Sequence, residues 1–118
     1  ADNWILSKDE VAEVKTATDA YNQSIRAIAT DKGLAFVDAN SVLNQVANGG
    51  ITANTYSVSS AYISGGAFSL DGVHPSPRGY ALIANEFMKS INATYGSNFK
   101  GVDLSKYRIM FPKSSVDF

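Results

Sequence analysis

The alternation of apolar and polar positions divides the chain into helical stretches separated by extended or irregular segments. Val11, Val14, Tyr21, Ile25 and Ile28 recur at helical spacing, with Lys and Asp between them. Just upstream, Ser7-Lys8-Asp9-Glu10 has the capping-box form, a hydroxyl followed three residues later by a carboxylate. Gly33 is placed to end this helix. The run that follows, Leu34-Ala35-Phe36-Val37, is apolar without alternation. Such a run suits a strand covered on both faces, as in a parallel sheet. Helix followed by buried strand is half of an α/β repeat, so the predicted fold class is α/β.

A short second helix is predicted from Asp38 or Asn40 through Val42, Leu43 and Val46, ended by Asn48-Gly49-Gly50. Residues 51–68 are rich in Ser, Thr, Gly and Asn, with short strands expected at Tyr56-Ser57-Val58 and Tyr62-Ile63. Ser76-Pro77 reads as a cap followed by proline at the first helical position. Tyr80, Ile83, Ala84, Phe87, Met88 and Ile91 then form an apolar face, and Gly96 closes the helix. From Ser97 onward Phe99, Leu104, Tyr107, Ile109 and Phe111 follow no period. The expected organisation is therefore a domain over residues 1–96 and an extended C-terminal tail over 97–118. One convincing buried strand cannot satisfy its own backbone hydrogen bonds. Its partners are expected from a missing N-terminal part of the domain or from a second copy of the chain, as in a homodimer.

Composition narrows the chemistry. The 118 residues carry 10 Lys and Arg against 11 Asp and Glu, a formal charge of −1. No basic stripe is available for a phosphate backbone or an anionic bilayer, so nucleic acid is not an expected partner. No apolar run approaches the roughly 18 residues of a membrane span. The start, Ala1-Asp2-Asn3-Trp4, lacks the charged and apolar regions of a signal peptide. With no cysteine, disulfides, thiolate nucleophiles and Cys-bound zinc are excluded. His74 is the only histidine, which excludes a multi-His metal site, and no carboxylate cluster suits a hard cation.

Chemistry concentrates in residues 68–80, Phe-Ser-Leu-Asp-Gly-Val-His-Pro-Ser-Pro-Arg-Gly-Tyr. Asp71 precedes His74 by three residues in a Gly- and Pro-bounded loop that runs into a helix. A general-base histidine needs one ring nitrogen free to take a proton. The other nitrogen must donate to an acceptor that fixes the tautomer and stabilises the imidazolium. Asp71 can be that acceptor if the loop turns back, which Gly72 makes easy. Spacing alone is more often the mark of a local hydrogen-bonded turn. Ser69, Ser64 and Ser76 are the nearby hydroxyls; Ser76 is better placed as a helix cap, and Ser69 to bond locally. Arg78 is expected to anchor the loop through hydrogen bonds.

Taken with its flanks, Asp71-Gly72-Val73-His74-Pro75 followed by Arg78-Gly79-Tyr80 and an amphipathic helix resembles the last conserved block of the GDSL/SGNH hydrolases. The resemblance extends from the helix at Ser7 through Gly96. It implies the C-terminal part of a flavodoxin-like three-layer α/β/α fold, incomplete in this chain. It also implies hydrolysis of a small-molecule or lipid-like carboxylic ester without a cofactor, with Asp71 as the orienting acid and His74 as the general base. The family's Gly-Asp-Ser nucleophile block and its oxyanion blocks, including Gly-x-Asn-Asp, are absent from the sequence. The triad serine is accordingly expected outside this chain, and the chain alone is expected to be inactive. The resemblance is to exported bacterial members, which points to a periplasmic or extracellular setting. A second reading makes this a non-catalytic α/β binding or assembly domain in which Asp71 and His74 staple a loop.

Overall fold

The computed structural model describes residues 4–53 and 55–109. It comprises two compact units, Ala1–Phe36 and Val37–Phe118.

The first unit is built on helix α1 (Lys8–Asp31). Its start is the predicted capping box. The Ser7 hydroxyl accepts the Glu10 N–H at 3.3 Å, and the Glu10 carboxylate accepts the Ser7 N–H at 2.7 Å. These reciprocal bonds satisfy two of the N–H groups that a helix start leaves open. The Ser7 N–H on the carboxylate, foremost among the causes, also lowers the Glu10 carboxyl from its ordinary value. At the other end Leu34 N–H reaches back to Ala29 O at 2.8 Å, and Arg26 stacks on the Phe36 ring at 4.6 Å. The stripe that predicts this helix remains exposed at Val11, Val14, Tyr21, Ile25 and Ile28. The strand expected over residues 34–37 does not form. An extended segment becomes a strand only when a neighbour pairs with it, and no ladder includes these residues.

The second unit holds the remaining elements. Helix α2 (Ala39–Ala47) is capped by Asp38, whose carboxylate accepts Ser41 N–H at 2.9 Å. Strands β1 (Ile51–Ala53) and β2 (Tyr56–Val58) pair antiparallel, with Ile51 opposite Val58 and Ala53 opposite Tyr56. Helix α3 (Pro77–Tyr95) starts at the Ser76 cap and ends at Gly96, which takes the left-handed conformation expected of it. A 3₁₀ turn (Leu104–Lys106) follows. The second expected strand, Tyr62-Ile63, is instead a turn in which Ser64 N–H bonds Tyr62 O at 2.7 Å. Ile63 there has φ of 66°, which no ladder residue could adopt. The chain is thus mixed α/β, and no helix among the described residues is long and apolar enough to cross a membrane.

Val46, Val58, Ala67, Ala81, Leu82 and Leu104 form the core of this unit, with Ile51, Ala53, Phe68 and Val102 against it. Leu104, completely buried, brings the tail segment into that core. Two asparagines of α3 hold the approach. Asn85 accepts Val102 N–H at 2.7 Å and donates to Val102 O at 2.9 Å. Asn92 treats Phe99 the same way, at 2.8 and 2.9 Å. Each amide mimics one rung of a strand, so a segment with no sheet partner keeps its polar groups satisfied. Arg78 adds a third tie, from Nε to Leu104 O at 3.2 Å and Tyr107 O at 3.0 Å, while its guanidinium lies over the Tyr56 ring at 4.4 Å. Arg78 therefore anchors the tail segment rather than the Asp71–His74 loop. The described residues stop at Ile109, so the expected anchor Phe111 lies outside them.

Candidate active site

The loop bearing Asp71 and His74 is closed at its base by backbone bonds. Ser76 N–H donates to Ala67 O at 2.9 Å and Ser69 N–H to His74 O at 2.7 Å, with Phe68 and Pro75 bridged antiparallel between them. Ser76 fixes the base to the helix. The residue is 1% exposed, and its hydroxyl donates to Gly66 O at 2.6 Å and accepts Gly79 N–H at 3.0 Å. Gly79 sits where α3 touches the preceding strand-like segment; a Cβ there would lie 2.1 Å from Ala67 O. Further out, Gly72 turns the chain back with φ of 71° and donates its N–H to Ser69 O at 3.0 Å. That conformation is costly for any residue with a Cβ.

This turn brings the two predicted residues together. His74 Nδ1 lies 2.6 Å from Asp71 Oδ2. The other carboxylate oxygen, Oδ1, accepts the Ser69 hydroxyl at 2.6 Å and the N–H groups of Val73 and His74, each at 2.9 Å. Led by the Ser69 hydroxyl, these donors hold the Asp71 carboxyl well below the usual carboxylate range. Asp71 is therefore an ionised, acceptor-only partner at neutral pH, which places the ring proton on Nδ1. The His74 side chain is 73% exposed, and no hydrogen bond reaches Nε2 among the described residues. An Nδ1-protonated imidazole leaves the lone pair on Nε2, the form able to accept a proton.

The two serine hydroxyls that flank the loop are otherwise engaged. The Ser69 proton is held by Asp71 and the Ser76 proton by Gly66 O, and no serine hydroxyl among the described residues bonds the His74 ring. Tyr62 reaches the loop from residues 59–66, its hydroxyl donating to Leu70 O at 2.9 Å. Spacing gave no warning of the Tyr62 contact; Ser-x-Asp, by contrast, is a pattern in which a hydroxyl can reach the next-but-one carboxylate. A cleft of about 450 Å³ also opens in this unit, between β1, α3 and the tail, lined among others by Ile51, Leu82, Met88 and Phe99. Neither Asp71 nor His74 lines it.

The sequence profile described as GDSL-like Lipase/Acylhydrolase matches residues 3–87, most of the chain. The chain belongs to this family. The matched stretch includes the whole Asp71–His74 loop and the first half of α3. Membership establishes a relationship to hydrolases that act on esters, and an α/β fold family. No curated protein and no solved structure matches the chain.

Proposed function

We propose that this chain carries the acid–base arm of a serine ester hydrolase. His74 takes the proton from a serine nucleophile contributed from outside the chain, then returns it to the leaving alkoxide. Asp71 orients the ring and stabilises the imidazolium between those steps. The reading is carried by one observation: Nδ1 bonded to an ionised carboxylate at 2.6 Å while most of the ring faces solvent. A ring required only for packing would bury its surface, and this one does not. That no serine among the described residues bonds the His74 ring, and that Gly-Asp-Ser is missing from the sequence, supports a nucleophile supplied elsewhere.

A specific observation also favours a second reading, in which the pair is a staple. Asp71 Oδ1 accepts two backbone N–H groups and would close the turn whether or not the ring did chemistry. Kinetics separate the two. The 118-residue chain alone should show no turnover of a p-nitrophenyl ester and no labelling by a serine-directed phosphonate. Joined to the family's serine and oxyanion blocks, it should hydrolyse the ester, and His74→Ala should reduce kcat by a factor on the order of 10⁴. Ester turnover by the joined protein that survives His74→Ala would establish the staple reading and sink the catalytic one.

A further inference from the structure

We propose that Ser69 is a positioning residue for the acid–base pair: its hydroxyl locks the Asp71 carboxylate so that Oδ2 alone faces His74. The inference rests on the catalytic reading of that pair. A carboxylate at the end of a short side chain can rotate about its Cβ–Cγ bond and exchange its two oxygens. Here they have unequal partners. Among the described residues Oδ1 takes three donors, Ser69 Oγ at 2.6 Å and the Val73 and His74 N–H groups at 2.9 Å, while Oδ2 takes only the His74 ring at 2.6 Å. Both backbone donors follow Asp71 in the chain; among the described residues Ser69 is the one donor that precedes it, so the carboxylate is gripped from two sides.

Ser69 is well placed to hold still. Its own N–H donates to His74 O at 2.7 Å and its carbonyl accepts Gly72 N–H at 3.0 Å, which ties its backbone to the base of the loop and to its turn. Rotating the carboxylate would break a short, charge-assisted O–H···O bond. The grip also acts on ionisation. Three donors on Oδ1 oppose protonation there, and the Ser69 hydroxyl leads the causes that depress the Asp71 carboxyl. A protonated carboxyl could donate to Nδ1 and move the ring proton to Nε2, the nitrogen that must stay bare for general-base work. The Asp71 side chain is 49% exposed, so water competes for any oxygen left free. The hydroxyl fills the position that water would otherwise take.

Because His74 is the only histidine, the tautomer can be read directly from the two ring ¹⁵N resonances of the labelled chain at alkaline pH. The unmodified chain should hold the Nδ1–H form, which free histidine disfavours. Ser69→Ala should lower the Nδ1–H to Nε2–H ratio about fivefold, the factor one ordinary hydrogen bond carries, and Ser69→Thr should restore it. The Asp71 carboxyl ¹³C titration should move up toward its ordinary range in parallel. Amide shifts of α3 and of the β1–β2 pair report whether the fold is kept. Should they collapse in Ser69→Ala, Ser69→Cys is read instead with the same expectation, since a thiol donates weakly. An unmodified chain already in the Nε2–H form overturns the catalytic reading and the Ser69 assignment together. An Nδ1–H ring that persists unchanged in Ser69→Ala overturns the Ser69 assignment alone.

Discussion

Gly79→Ala sets two physical effects of opposite sign against each other. Helix propensity favours it: glycine in a helix is about 1 kcal/mol less favourable than alanine. Packing opposes it. The new methyl would stand 2.1 Å from Ala67 O and 3.1 Å from Pro75 Cβ, so the gap to that oxygen must open to the ordinary 3.4 Å. The obstacle is backbone, and it cannot swing aside as a flexible side chain would. Ala67 O is also the acceptor of Ser76 N–H at 2.9 Å, so displacing it loosens the base of the Asp71–His74 loop. Overpacking of this kind costs about 1–3 kcal/mol, and the weakened hydrogen bond adds roughly 1 kcal/mol. After the gain in propensity, the net is a loss of about 2 kcal/mol. For a unit of this size that corresponds to a Tm lower by roughly 10 °C. Urea unfolding of the 118-residue chain followed by far-ultraviolet circular dichroism measures the midpoint directly. A Gly79→Ala chain as stable as its parent, or more so, would show that α3 does not press on residue 67, and the account of how the loop is held would fail.

Two other outcomes follow from the same geometry. Asp71 has a depressed carboxyl, so its contribution to stability is complete above the ordinary carboxylate value and declines as pH falls through its lower folded value. Stability curves between pH 7 and pH 3 should therefore show a shallower acid limb in Asp71→Asn, beginning below roughly pH 4; parallel curves would mean that the bonds to Oδ1 do not persist in solution. Glu10 and Asp103 are lowered in the same way, so the limb flattens without vanishing. Leu104→Ala should cost about 2–5 kcal/mol, because the side chain is completely buried in the core of the second unit. It should also admit protease to residues 99–107, whereas an unchanged urea midpoint would contradict the tail's place in that core.

Local order was legible in the sequence wherever one or two neighbouring residues decide it. The Ser7–Glu10 capping box, the Ser76 cap, the Gly96 stop and the Tyr56–Val58 strand stand where pattern and capping chemistry put them, and of the two candidate starts for α2, Asp38 and Asn40, Asp38 is the cap. The Asp71–His74 contact belongs to the same class, since a connection of two residues, one of them glycine, has few ways to close. Pattern failed where an element needs a distant partner. The apolar run at residues 34–37 has strand composition, yet a strand exists only in a ladder, and none reaches it. The tail has no period because its order comes from Asn85, Asn92 and Arg78, which grip backbone atoms that any sequence would offer. The same holds for Gly79 and for Tyr62: one accommodates a carbonyl twelve residues earlier and the other donates to one eight residues later. Short-range hydrogen bonding is written in residue type and spacing, so the sequence alone determined the caps and the paired imidazole. Contacts across the fold depend on which backbone atoms come to lie side by side, and only the tertiary structure decided those.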